Sequence, residues 1–276
     1  MNPARPALLG ALAALLLTAA ASTTWFALGC LEAEAASETL PLPPEIPRLA
    51  EGPQYDRCLA MLRTDPEDAR AFAETWEAAG GGEGARHCAA LALLASGEVE
   101  HGAERLEQLA RSSHGSAAAR AAVFAQAGQA WMLLGNTGRA YAATTMALTL
   151  APDDLDLLVD RAVALGSMGR YADALEDLNR AVTLDPNRAE PLIFRAAALR
   201  HLDRVDEALR DAEKALVLAP ENAEALLERG ILRQLMGDAA GAKADWEKVV
   251  ALAPDSPAAD LAQQNLALNE AGPRRR

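Results

Sequence analysis

Pro152, Pro186, Pro220 and Pro254 recur at a constant spacing of 34 residues, each closing a similar phrase: LTLAP, VTLDP, LVLAP and VALAP. A fixed period of this length marks one supersecondary unit copied in tandem. A single unit of that size cannot bury its own apolar face, so the copies must stack side by side. One elongated array therefore replaces the compact core that 276 residues could otherwise build. Such an array offers a long surface suited to holding another molecule.

Composition agrees with helical units. Ala, Leu, Glu and Arg dominate, aromatic residues make up 4% of the chain, and no β-branched run is long enough to found a sheet. The formal charge is −13, from 26 basic and 39 acidic residues. A nucleic-acid binder needs a concentrated basic face, and only Arg274, Arg275 and Arg276 cluster, so nucleic acid is not an expected partner.

Residues 1–35 have the character of a targeting segment. Arg5 is the sole early charge, Leu8 to Ala21 are almost wholly apolar, and small residues follow at Ala19-Ala20-Ala21 and Ala33-Glu34-Ala35, where a signal peptidase could cut. The uncharged stretch from Ala7 to Leu31 is also long enough to span a bilayer if it is retained. Ala27-Leu28-Gly29-Cys30 offers a third route, lipid attachment at Cys30, although Ala27 stands where leucine is usual. A cleaved secretory signal, an uncleaved anchor and a lipoprotein all predict an exported, periplasmic body, with membrane contact only through this segment. Pro41, Pro43, Pro44, Pro47 and Pro53 then make residues 36–54 an extended linker.

Cys30, Cys58 and Cys88 are the three cysteines. If Cys30 leaves with the signal, Cys58 and Cys88 remain as an even pair, which in an oxidising compartment reads as a disulfide. Closing a loop of about 30 residues stabilises by roughly 3–4 kcal/mol in the chain-entropy account. The alternative is a metal site on His87 and Cys88, but no second pair of ligands lies at helical or CxxC spacing. No cofactor is expected.

Aligned on the prolines, the units are 121–154, 155–188, 189–222 and 223–256. Position eight is always small (Gly128, Ala162, Ala196, Gly230) and position twenty is always alanine (Ala140, Ala174, Ala208, Ala242). Gly135, Gly169, Asp203 and Gly237 mark a turn at position fifteen, between two antiparallel helices that the small residues let approach closely. Large residues surround them: Phe124, Leu158, Leu192 and Leu226 at four, Trp131, Leu165 and Leu199 at eleven, Leu178 and Trp246 at twenty-four. Arg233, Thr144 and Ala212 depart from the pattern.

This pattern of large, small and large residues in the first helix, alanine in the second and a closing proline resembles the tetratricopeptide repeat. The resemblance implies an all-α fold, a right-handed α-α superhelix of helix hairpins. Four repeats occupy 117–256. Divergent helical repeats precede them over 55–116, where Ala90, Leu93, Gly97, Val99, Gly102 and Leu106 hold the corresponding positions in 83–116. Helices over Asp56 to Arg63 and Pro66 to Ala79 are expected before a flexible joint at Gly80-Gly81-Gly82-Glu83-Gly84, which lacks the Lys-Ser/Thr of a phosphate-binding loop. Residues 257–276 form a capping helix and basic tail, with Ser256 as N-cap and Pro257 at the first helical position.

Two charged positions recur inside the period. Arg161, Arg195 and Arg229 stand at position seven, and Asp177, Asp211 and Asp245 at position twenty-three; in the first unit both are alanine, Ala127 and Ala143. Joint presence and joint absence predict that they pair, within a unit or to its neighbour.

The resemblance further implies that first helices line a concave groove through positions two, five, nine, twelve and thirteen. The candidate partner-binding residues are then Gln129, Met132, Val159, Val163, Ile193, Ala197, Arg200, Leu227, Ile231 and Gln234. Its centre is apolar and one edge, with Asp156, Glu190 and Glu224, is acidic. The Lys and Asn residues with which some such proteins clamp a terminal carboxylate, at positions two, five, six and nine, are absent there, so a peptide with apolar side chains and some positive charge fits better. His87, His101, His114 and His201 are scattered without a matched nucleophile or carboxylate, and no catalytic motif appears. The expected function is a non-catalytic protein-interaction scaffold of the bacterial envelope. The alternatives are an accessory lipoprotein in envelope assembly, self-association through the apolar groove, and, least, an enzyme.

Overall fold

The computed structural model describes residues 47–271. The targeting segment with Cys30, residues 36–46 of the linker, and Arg274 to Arg276 lie outside the described residues. Within them the chain is helical throughout: α1 (Pro53–Met61), α2 (Pro66–Ala78), α3 (Gly82–Ala95), α4 (Val99–Ser112), α5 (Ala117–Leu133), α6 (Thr137–Leu150), α7 (Leu155–Ser167), α8 (Tyr171–Leu184), α9 (Ala189–His201), α10 (Val205–Leu218), α11 (Ala223–Leu235), α12 (Ala239–Leu252) and α13 (Pro257–Ala271). Each helix packs on its neighbours in sequence, and the first helices of successive hairpins also touch, α5 on α7, α7 on α9, α9 on α11 and α11 on α13. This is an all-α superhelix whose first helices form the inner row.

Local chemistry sets the boundaries. Asp154, Asn222 and Ser256 accept hydrogen bonds from the backbone N–H three residues on and so cap α7, α11 and α13. From α3 onward the turns inside hairpins each use a left-handed residue: Gly97, Gly135, Gly169 and Gly237 have φ between 68° and 89°. Asp203 takes the same role at φ 58°, the sole described non-glycine residue with positive φ. The recurring prolines lie between helices, where a missing N–H breaks no ladder.

Hairpins close by matched sizes at positions eight and twenty-four. A Cβ on Gly230 would lie 2.4 Å from Trp246 Nε1, and one on Gly128 would lie 2.8 Å from Thr144 Cγ2. Glycine stands opposite bulk or β-branching, and alanine stands opposite Leu178 and Ala212. The alanines at position twenty are all buried.

Three boundaries differ from expectation. Pro53 and Gln54, placed in the linker, begin α1, because proline suits the first helical turn. Residues just before them dock on the body: Leu49 packs against the core around Phe124, and a Cβ on Gly84 would lie 2.8 Å from Ala50 Cβ. The glycine run is likewise no simple joint. Gly82 and Gly84 lie in α3, and Gly81 and Gly84 are small because the Trp76 ring covers them. Residues 117–120, the four that separate unit 83–116 from unit 121–154, become one additional turn at the start of α5, which preserves the buried face.

Candidate site on the inner row of helices

The recurring charges pair within their own hairpins. Arg161 donates to both oxygens of Asp177 at 2.7 and 2.6 Å, Arg195 to Asp211 at 2.6 and 2.7 Å, and Arg229 to Asp245 at 2.8 and 2.6 Å. The aspartates are buried. Each two-point bridge fixes a first helix on its second helix. Arg233 adds a further bond to Asp245 at 2.8 Å, which explains its presence at a position otherwise apolar. In the first strong repeat, where Ala127 and Ala143 replace the pair, buried Glu107 of α4 gathers Trp131 Nε1 at 2.7 Å, Arg111 at 2.9 Å and Arg139 at 3.4 Å. No sequence period pointed to Glu107, because it occurs once.

Cys58 and Cys88 form a disulfide with a Cα–Cα distance of 6.2 Å. Beside it, His87 Nδ1 lies 2.5 Å from the Tyr55 hydroxyl and Nε2 lies 2.7 Å from Gln126 Oε1. A neutral imidazole carrying its proton on Nε2 satisfies both. Burial holds the His87 pKa below its usual value, against the opposing hydrogen bond to Gln126. The first helix is thus fastened to α3, and α3 to α5.

The candidate groove residues divide into three groups. Val159, Ile193 and Leu227, at position five, are buried in the shared core and do not line a groove. Their side chains are drawn inside because first helices touch one another along that edge. Arg200 is also committed: its Nε donates to Glu228 at 2.6 Å and its Nη2 at 3.3 Å. Gln129 and Gln234 are exposed, and Met132, Val163, Ala197 and Ile231 are half-buried on the inner row.

Position six, outside the candidate groove set, decides how four of the first helices meet the one before. Gln126 meets His87, Asp160 accepts from Gln129 at 3.2 Å, and Glu228 accepts from Arg200. The junction between α7 and α9 is different. Here position six is Phe194, and it borders a cavity of about 270 Å³ lined by Val163, Gly166, Tyr171, Ala197 and His201. The Tyr171 and His201 rings stack with centroids 4.1 Å apart and planes 2° apart, forming one aromatic wall. Burial and the nearby Arg200 lower the His201 pKa, which favours the neutral ring. One turn before Val163 on the same face of α7 stands Asp160. Burial and the carboxylates of Asp156, Glu190 and Asp154 push its pKa up, against the hydrogen bond from Gln129. Arg188 pairs with Asp156 and Glu190.

Residues 155–188 and residues 194–267 each match the tetratricopeptide-repeat family. These segments are tetratricopeptide repeats. Solved structures share the fold. MamA residues 41 to the end, from Desulfovibrio magneticus RS-1, superpose with a TM-score of 0.53 at 18% identity, covering 75% of this chain and 99% of that one. YrrB, a tetratricopeptide protein with an unusual peptide-binding site, gives 0.51 at 20% identity, over 69% and 96% of the two chains. A chain of the APC/C hetero-tetramer Cut9-Hcn1 gives 0.58 at 18% identity, over 77% of this chain and 42% of that one. No curated protein matches the chain in sequence. Among the described residues of the tetratricopeptide array, no group of three His, Cys, Asp or Glu side chains is placed to hold a metal ion.

Proposed function

We infer that this chain is a non-catalytic scaffold, exported to the cell envelope, whose inner row of first helices holds a peptide or protein partner. The observation that carries the reading is the character of that row. Met132, Val163, Phe194, Ala197 and Ile231 keep part-exposed apolar surface in its middle, while Asp156, Glu190 and Glu224 stand exposed along one edge. An apolar centre with a charged rim is the anatomy of a recognition surface. Export is supported by Arg5 followed by the apolar run Leu8 to Ala21, and by the Cys58–Cys88 bridge, which persists in an oxidising compartment.

The experiment is site-specific photo-crosslinking in intact cells, with the reactive group at Val163 on the inner row or at Glu176, exposed on α8. Partners captured from Val163 and absent from Glu176 are expected; identical products from both sites refute a groove. Fractionation with mass spectrometry of the mature amino terminus tests export, and a chain retained in the cytoplasm with Met1 intact refutes it.

A further inference from the structure

Position six faces the preceding first helix at four junctions, α3 to α5, α5 to α7, α7 to α9 and α9 to α11; three are closed by a polar pair there, and one is open. Gln126, Asp160 and Glu228 each meet a side chain of the preceding first helix, whereas Phe194 faces the vacant space beside Gly166. The vacancy has a simple cause. At position twelve the other repeats carry Met132, Arg200 and Gln234, and only this one carries glycine. A Cβ on Gly166 would meet nothing within 4 Å. Glycine here answers neither a turn nor a close approach, since Gly166 lies in α7 with ordinary helical backbone.

The space has a definite chemistry. Its 270 Å³ lies just under the range of about 300–1,000 Å³ that holds whole small molecules, which suits a single large side chain. Val163 and Ala197 are aliphatic, and Phe194 and the Tyr171–His201 stack are flat rings that favour an aromatic guest through offset or edge contacts. Charge complementarity supplies the second element. Among the described residues, Asp160 has Gln129 as its hydrogen-bond donor and no cation paired with it, and of the neighbouring carboxylates Asp154, Asp156 and Glu190, Arg188 offsets Asp156 and Glu190. A cation placed one helical turn from the cavity would meet that carboxylate.

We propose that the cavity between α7 and α9 receives an aromatic side chain of a partner peptide, and that Asp160 pairs with a lysine or arginine beside it. This rests on the inner row being the binding face and adds the motif that it reads.

The test uses a phage-displayed library of random dodecamers selected on the full chain, followed by fluorescence anisotropy on the selected peptides. Enrichment of an aromatic residue next to a basic one is expected. Replacing that aromatic by alanine should weaken binding about tenfold or more, the effect of losing one buried large side chain. Gly166→Leu, which fills the cavity without crowding the backbone, should abolish binding while the melting temperature holds or rises. Asp160→Asn should erase the preference for a basic neighbour and spare the aromatic one. Selected peptides without an aromatic residue, or bound equally by Gly166→Leu, overturn the proposal and leave the groove intact. If no dodecamer is selected above background, both the cavity and the groove are overturned.

Discussion

Removing Arg195 should cost far more than removing its partner. Asp211 keeps 11% of its side chain exposed against 20% for Arg195, so the aspartate is the more deeply held charge. Arg195→Met strips two short charge-assisted bonds and strands a carboxylate inside the hairpin of α9 and α10. Breaking a buried pair in this way costs roughly 3–5 kcal/mol. Asp211→Asn is milder: the guanidinium keeps Asn179 at 3.2 Å and some water, so the cost falls to about 1.5–3 kcal/mol, that of hydrogen bonds to a charged group. The double change Arg195→Met with Asp211→Leu removes both charges and should return close to the parent, since apolar replacement of a whole buried pair is often neutral. The chain itself uses such a solution at Ala127 and Ala143, both buried. Thermal melts followed by circular dichroism should show the Arg195→Met midpoint lower by roughly 6–20 °C, with the double variant within about 4 °C of the parent. A single variant within about 0.5 kcal/mol of the parent would refute the ladder. So would a double variant costing the sum of Arg195→Met and Asp211→Leu each made alone, because additivity means no coupling.

Reducing the Cys58–Cys88 bridge should destabilise by roughly 3–4 kcal/mol and expose α1 and α2 to protease before the repeats from α5 onward; simultaneous digestion of the whole array would show that the bridge does not act locally. Gly230→Ala forces a methyl against the Trp246 ring and should cost about 1–3 kcal/mol by denaturant titration, whereas Gly166→Ala should not destabilise. Asp160→Asn should raise stability at neutral pH. The folded-state pKa of Asp160 lies above its unfolded value of about 3.8, so its ionised form is a cost that appears as pH rises through the folded pKa and is absent below the unfolded one. The variant's advantage in melting temperature should therefore vanish in acid, and an advantage that grows on acidification would contradict the sign. Asp203→Gly relieves the left-handed residue and should gain up to about 1 kcal/mol in the same melts.

What recurs within one hairpin was legible in the sequence, because copies of the same contact leave a period. The small residues at eight and twenty, the turn at fifteen and the Arg–Asp pairs are contacts of this kind, and the structure joins each Arg to the Asp sixteen residues on. Contacts between repeats left no such trace. His87 with Gln126, Gln129 with Asp160 and Arg200 with Glu228 use different chemistry at each junction, so aligning the units hides them. Position five was misplaced for a geometric reason: adjacent helical residues differ by about 100° in direction, enough to send Ile193 into the core and Phe194 toward the groove. Leu49 and Ala50 looked like linker because what they dock on, the core around Phe124 with Gly115 for Leu49 and Gly84 for Ala50, lies far along the chain and repeats no pattern near them.

Two departures from local optimum meet on α7. Gly166 sits in a helix with room for a side chain, where leucine would gain about 0.5–1 kcal/mol in propensity alone. Asp160, six residues earlier, is a half-buried carboxylate among other carboxylates, and asparagine would keep the Gln129 bond without the charge. The array needs the Gln129 bond but neither the charge at Asp160 nor the glycine at 166, and hairpins elsewhere solve the same positions with Met132, Arg200 or Gln234 and with a paired Glu228. Packing alone cannot account for a helix that is emptied toward α9 and carries an uncompensated charge one turn away. A guest that brings an aromatic ring and a cation together accounts for both, since it would fill the one and neutralise the other. The stability forgone at Gly166 and Asp160 is then the free energy held in reserve for a partner, as functional sites commonly show.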